Sequence, residues 1–139
     1  MSIRTRRCVI AAIVLTSIGC QMGNTPGEFA PATSPQGTEV RVTYERAGRS
    51  TDASGELIEA RADGLLVLLP RGFTRIDYDA ISVITFGAPG GSQRLQGVRT
   101  AEERQRLAQL SRYPVGLTDD QVARLLQARG QERLIEVDP

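Results

Sequence analysis

Five consecutive apolar residues, Leu65-Leu66-Val67-Leu68-Leu69, lie between an Asp63-Gly64 turn and Pro70-Arg71-Gly72. Side chains along a strand alternate between two faces, so this run is apolar on both and must be the most buried strand of its sheet. Asp-Gly between two apolar runs is a strong hairpin signal, pairing it with Leu57-Ile58-Glu59-Ala60-Arg61. Other period-2 segments flank this pair. Val40, Val42 and Tyr44 alternate with Arg41, Thr43 and Glu45, and Thr74, Ile76 and Tyr78 alternate with Arg75 and Asp77. An Asp79-Ala80 corner leads into Ile81-Ser82-Val83-Ile84-Thr85-Phe86, and Gly87, Pro89, Gly90 and Gly91 end the stretch. Between the first two strands, Ala47–Gly55 reads as a loop, because Gly48, Ser50, Asp52, Ser54 and Gly55 favour turns.

Five short strands joined by tight turns within residues 39–88 suit a small closed barrel, since closure removes exposed sheet edges. The long first loop, the Gly-x-Leu strand, the Asp-Gly hairpin and the corner before the last strand resemble the pattern of the SH3-like and Sm-like small barrels. That resemblance covers residues 39–88 and is one of pattern alone. An open five-stranded meander and a three-stranded sheet packed on helices are the rival arrangements.

Residues 99–139 carry helix signals. Thr100 precedes Glu103 by three, as in a capping box, and Leu107 and Leu110 supply an apolar stripe until Pro114. Thr118 with Gln121 forms a second box. Leu117 and Val122 have hydrophobic-staple spacing, and Gly130 supplies the C-terminal stop. Leu134, Ile135 and Val137 read as a short final strand or strap. Neither helix reaches the ~12–15 residues at which an isolated helix becomes even marginal. Both must therefore pack on an opening or a face of the barrel and share its core.

The N-terminus reads as an address. Arg4, Arg6 and Arg7 precede an apolar run from Val9 to Ile18, too short for the ~20 residues of a spanning helix. Ser17-Ile18-Gly19-Cys20 resembles a bacterial lipobox, with Ser17 where Leu is usual. The resemblance implies cleavage between Gly19 and Cys20 and acylation of the Cys20 thiol. Two or more acyl chains are what stable membrane attachment needs. Thr5-Arg6-Arg7 also looks faintly like a twin-arginine signal, but general-pathway export is the expectation. Gln21 stands where enterobacterial inner-membrane retention would have Asp, which favours the periplasmic side of an outer membrane in a host with two membranes. Pro26, Pro31, Pro35, Gly23, Gly27 and Gly37 make the following segment a flexible tether. The expected organisation is signal peptide 1–19, tether 20–38, barrel 39–88, linker 89–98 and helical annex 99–139.

Composition removes several chemistries. The 139 residues include no His, all 17 basic residues are Arg, and the two cysteines are Cys8 and Cys20. Histidine catalysis, histidine metal ligation and lysine Schiff bases are therefore excluded, and because Cys8 would leave with the signal and Cys20 would be acylated, no stabilising disulfide is expected. Without residues 1–19 the chain holds 14 basic and 16 acidic residues, a formal charge of −2. This offers no global attraction to nucleic acid, and aromatic rings for base stacking are scarce. No cofactor and no metal are expected: Asp119-Asp120 suits the first turn of a helix, and the glycines of 87–91 lack a P-loop's lysine.

The expected function is a non-enzymatic, membrane-tethered envelope lipoprotein that binds or assembles with another envelope protein through a barrel groove or exposed strand. Arg94, Arg99, Arg104, Arg106 and Arg112 gather around the first helix as candidates for contact with an anionic surface. Two alternatives compete with this reading. One is a cell-wall glycan-binding domain using Tyr44, Phe73, Tyr78 and Tyr113. The other is an enzyme whose site would begin from Asp77, Asp79 and Ser82.

Overall fold

The computed structural model describes residues 36–88 and 90–139. The residues read as a signal peptide, Cys20 and most of those read as a tether lie outside them. The strands are β1 (Glu39–Arg46), β2 (Arg49–Ala60), β3 (Gly64–Leu69), β4 (Gly72–Asp77), β5 (Ile81–Ala88), β6 (Gly91–Leu95) and β7 (Ile135–Val137). A 3-10 helix, Tyr78–Ala80, turns the chain between β4 and β5, and two α-helices, α1 (Ala101–Leu110) and α2 (Asp119–Ala128), follow β6. All seven strands form one sheet in the order β6-β5-β1-β2-β3-β4-β7. Every neighbouring pair is antiparallel except β4 and β7.

All five strands expected between 39 and 88 are present, but the sheet is not a closed five-stranded barrel. In a barrel β4 would meet β5. Here β7 occupies the outer edge of β4 and β6 occupies the outer edge of β5. The residues read as a linker, 89–98, therefore contain a strand. The loop expected over 47–55 is also corrected. The turn is only Ala47-Gly48, both with positive φ, and β2 begins at Arg49. Ser50, Asp52 and Ser54 are ladder residues, each opposite a β1 partner. Gly55 marks close packing rather than a turn, since a Cβ there would lie 2.2 Å from the Leu68 carbonyl oxygen. Helix α1 ends at Leu110, before Pro114, because the Arg112 and Tyr113 amides donate to the carbonyls of Leu57 and Ile58.

Those two carbonyls belong to a β-bulge. Leu57 faces Val67 and Glu59 faces Leu66, leaving Ile58 as the extra residue. A bulge bends and twists its strand. Alternation sends Leu57 into one core and Ile58 into another, and the bulge then keeps Glu59, opposite Leu66, on the side of Ile58. The concave core gathers Val40, Val42, Tyr44, Leu57, Leu65, Val67, Ile76, Ile84 and Phe86 with Leu107 and Leu110 of α1. The convex core is smaller, with Ile58, Leu66 and Phe73 under Val122 and Leu126 of α2. The β3 run thus divides as its sequence requires: Leu65, Val67 and Leu69 go one way, and Leu66 and Leu68 the other. Removing Leu66 to Ala would cost about 2–5 kcal/mol, the range for a large core deletion.

Both helices start as expected. Thr100–Glu103 and Thr118–Gln121 are complete capping boxes. The carboxylate of Glu103 accepts the amides of Thr100 and Arg99, and these bonds hold its pKa below the usual glutamate value. The end of α2 is a Schellman motif: Gly130, at φ +65°, donates to Gln127 and Gln131 donates to Leu126.

Candidate binding cleft

The two ends of the concave face are treated differently. At one end lie the start of β1, the end of β2 and the end of β4. There α1 closes the trough: the Thr38 amide donates to the Leu110 carbonyl, and Arg104 donates to the Ala62 carbonyl and lies 5.0 Å from the Tyr78 ring centre. Tyr78 donates its hydroxyl to the Arg61 carbonyl, and burial pushes its pKa up to about 12.

Neither described α-helix lines the opposite end. The register places Tyr44 opposite Thr51, Val42 opposite Ala53, Leu69 opposite Gly72, and Thr74 beside Ile135. These residues line a cleft of about 340 Å³ together with Val137. Its floor is apolar, formed by Tyr44, Ala53, Leu69, Ile135 and Val137. Thr74 is buried there with its hydroxyl donated to the Gly72 carbonyl. Arg46 and Arg71 stand at the rim. Asp52 borders the cleft, but its carboxylate accepts the Thr43 hydroxyl, and strand alternation puts that pair on the other face. Arginine therefore supplies the charge of this cleft. A second hollow, about 570 Å³, adjoins it across β7 and shares Arg46, Arg71 and Ile135, adding Arg133. Arg46, Arg71 and Arg133 form no ion pair among the described residues.

The β7 wall is built by local chemistry. After the Gly130 stop, Gln131 turns its side-chain amide to the backbone of Phe73, and the chain then enters β7 beside Thr74. Beyond the cleft, Arg75 gathers three carboxylates: Asp63 at 2.8 Å, Asp77 at 2.9 Å and Glu136 at 2.9 Å. Glu136 is thereby fixed to β4. Asp77 is close to Arg75 without hydrogen-bond alignment, and desolvation, only partly offset by that cation, raises its pKa.

The residues singled out from sequence are dispersed. Asp77 belongs to the Arg75 cluster, and Asp79 is exposed in the 3-10 helix. Ser82 is the extra residue of a second bulge, where Tyr44 faces Ile81 and Thr43 faces Val83, and its hydroxyl donates to the Thr43 carbonyl. None of the three lines the cleft. Tyr44, Phe73 and Tyr78 are buried and Tyr113 is half-buried, which deprives a glycan platform of exposed rings. Of the five arginines near α1, Arg104 is bound to Ala62, Arg106 pairs with Glu102 and Arg112 pairs with Glu56. Arg94 and Arg99 are exposed, on β6 and just before α1. Cys20 and Gly19 lie outside the described residues.

Sequence reading missed Arg46 and Arg71. For Arg46 the signal was present in the alternation, since it continues the inward series Val40, Val42, Tyr44; Arg71 sits in the Pro70-Arg71 turn between β3 and β4, where alternation does not apply. Among the described residues, no group of three or more acidic or cysteine side chains is placed to hold a metal ion, and no helix is long and apolar enough to cross a membrane. No family model, no curated protein and no solved structure matches this chain.

Proposed function

We propose that this chain is a non-enzymatic envelope lipoprotein, anchored through acylated Cys20, whose folded part serves as a binding or assembly module for another envelope protein. The lipobox-like Ser17-Ile18-Gly19-Cys20 supports the anchor, and the Pro- and Gly-containing segment after it supports a tether. In a host with two membranes, Gln21 favours the periplasmic side of the outer one. Within the sheet, β5-β1-β2-β3-β4 are consecutive neighbours bent around one core, which supports kinship with the SH3-like and Sm-like small barrels.

The observation that carries the binding reading is the open end of the concave face, an apolar cleft with two arginines at its rim. Among the described residues the trough is closed by a helix at one end and open at the other, and its rim arginines form no ion pair, an arrangement suited to a ligand that supplies both apolar surface and negative charge.

The test combines two labels. Palmitate labelling of wild type beside Cys20→Ala reads the anchor, and a photocrosslinking residue at Thr51 reads the cleft in intact membranes. The reading expects palmitate on wild type alone and one reproducible crosslinked envelope protein. An unlabelled wild type, or crosslinks that do not differ from those of a position on the convex face, would overturn it.

A further inference from the structure

Among the described residues, strand β7 is an edge of the sheet, paired on one side only, with β4. An edge strand presents a row of unpaired amides and carbonyls, the template on which extended peptides are added. This edge is short, but it runs between two concavities and contributes Ile135 and Val137 to the apolar one. The same concavity has Arg46 and Arg71 at its rim, shared with the second hollow, where Arg133 joins them. Acids near these arginines are mostly committed elsewhere: Asp52 to the Thr43 hydroxyl and Glu136 to Arg75. Glu132 is the remaining carboxylate of the second hollow, against three guanidinium groups.

We propose that an extended, acidic segment of a partner protein adds as a further strand to the free edge of β7, placing an apolar side chain in the cleft and a carboxylate on Arg46 and Arg71. Three observations converge on this occupant. The edge supplies main-chain hydrogen bonds, which give affinity to any extended peptide. Strand alternation then sends every second side chain toward the floor of Tyr44, Ala53 and Leu69, which selects apolar residues there. Residues between them point away from the floor, and across β7 lies the second hollow that Arg46, Arg71 and Arg133 line; these arginines form no ion pair among the described residues, and guanidinium groups bind carboxylates in a planar, bidentate manner. A lipid headgroup would meet the charge but leave the strand edge and apolar floor unused. The inference rests on the binding-module reading and specifies the chemistry of its partner.

The experiment uses the full chain in detergent and fluorescein-labelled peptides of alternating Val and Glu, followed by anisotropy. The Val/Glu peptide is expected to bind at least about tenfold more tightly than its Val/Lys counterpart, a difference of about 1.4 kcal/mol. The doubly reversed variant Arg46→Glu/Arg71→Glu, checked for an unchanged circular dichroism spectrum, should invert that preference. N-methylation of alternate peptide amides should abolish binding by removing ladder donors. Equal binding of Glu and Lys peptides, indifference to the double reversal, or full binding of the N-methylated peptide would each overturn the proposal. So would loss of adsorption to phosphatidylglycerol-containing vesicles in the double variant without peptide binding by wild type, which would make the face a lipid contact. Should the Thr51 crosslink still capture a partner while the Val/Glu peptide fails, the peptide chemistry falls and the module reading survives.

Discussion

Gln131 completes the hydrogen bonding of Phe73 with its side chain alone. The Phe73 amide donates to Gln131 Oε1 at 2.8 Å, and Gln131 Nε2 donates to the Phe73 carbonyl at 2.9 Å and to the Arg133 carbonyl at 2.7 Å. One side-chain amide thus does the work of a strand residue, seating the chain against β4 just before the backbone takes over at Ile135. Because β7 supplies Ile135 and Val137 to the cleft, this pairing also sets one of its walls.

Replacing Gln131 by Ala would leave the buried Phe73 backbone without these partners. An orphaned buried backbone group costs about 1–3 kcal/mol, so Gln131→Ala should lower the thermal midpoint by several degrees. Loss should concentrate at β7, with amide exchange of residues 135–137 accelerating more than that of β1. Gly72→Ala should act through the same joint, since a Cβ at Gly72 would come within 2.4 Å of Gln131 Oε1. Uniform acceleration across the sheet would show that Gln131 does not hold β7 specifically.

How much of this was legible in the chain can be read from individual residues. Local signals carried far: the two-faced β3 run, both capping boxes, the staple partners Leu117 and Val122 in one core, and the Gly130 stop all appear as written. Polar residues in a strand misled, because Ser50 and Asp52 resemble turn formers until β1 is known to lie beside them. Both bulges were invisible, since Ile58 and Ser82 are extra only relative to partners fixed by tertiary structure. Long-range ties were hidden for the same reason. Nothing in the sequence around Gln131 announces Phe73, 58 residues away. The cleft was half legible: alternation places Arg46 on the inward face, but Arg71 is brought to the rim by the β3–β4 turn, and only the position of α1 decides which end stays open.

The β1–β2 turn carries a local mismatch that a single change should relieve. Ala47 sits at φ +50°, followed by Gly48 at φ +70°. Two-residue hairpins with both central residues at positive φ favour Asn-Gly, and a left-handed backbone costs an ordinary L-residue roughly 1–2 kcal/mol. Ala47→Asn should therefore stabilise the fold by about 0.5–1 kcal/mol, seen as a higher urea midpoint at an unchanged slope. Ala47→Val should move the midpoint the opposite way. A stabilised Val variant would contradict the assigned turn.

Asp77 gives a prediction in pH. Its pKa is raised in the fold, chiefly by desolvation and despite Arg75, so the folded chain holds that proton more tightly than the unfolded chain. For such a group the stabilisation is complete below the ordinary aspartate pKa and is lost as pH rises through the raised value. At neutral pH the Asp77 charge is a net burden, while Asp63 and Glu136 still serve Arg75. Asp77→Asn should therefore unfold at a higher temperature than wild type at pH 7, by less than about 1 kcal/mol. The gap should close as pH falls below about 4. A lower midpoint for the Asn variant at pH 7 would mean that the Arg75–Asp77 attraction outweighs burial.

Ala53 tests whether the cleft is a working surface or merely unfilled space. It lies on the cleft floor opposite Val42, half-buried and packed against the concave core. Enlarging a residue in a filled core usually costs about 1–3 kcal/mol, but a larger side chain here has a cleft of about 340 Å³ to enter. Ala53→Leu should thus leave the thermal midpoint nearly unchanged or raise it slightly, because the added methyl groups cover apolar surface that water now reaches. The same variant should cut the yield of Thr51-directed crosslinks severalfold, by occupying the volume a partner's side chain would take. An equally bulky change on the convex strand surface, Thr43→Leu, should leave that yield intact. If Ala53→Leu were as stable as wild type and crosslinked just as efficiently, the open end of the trough would not be where the partner sits.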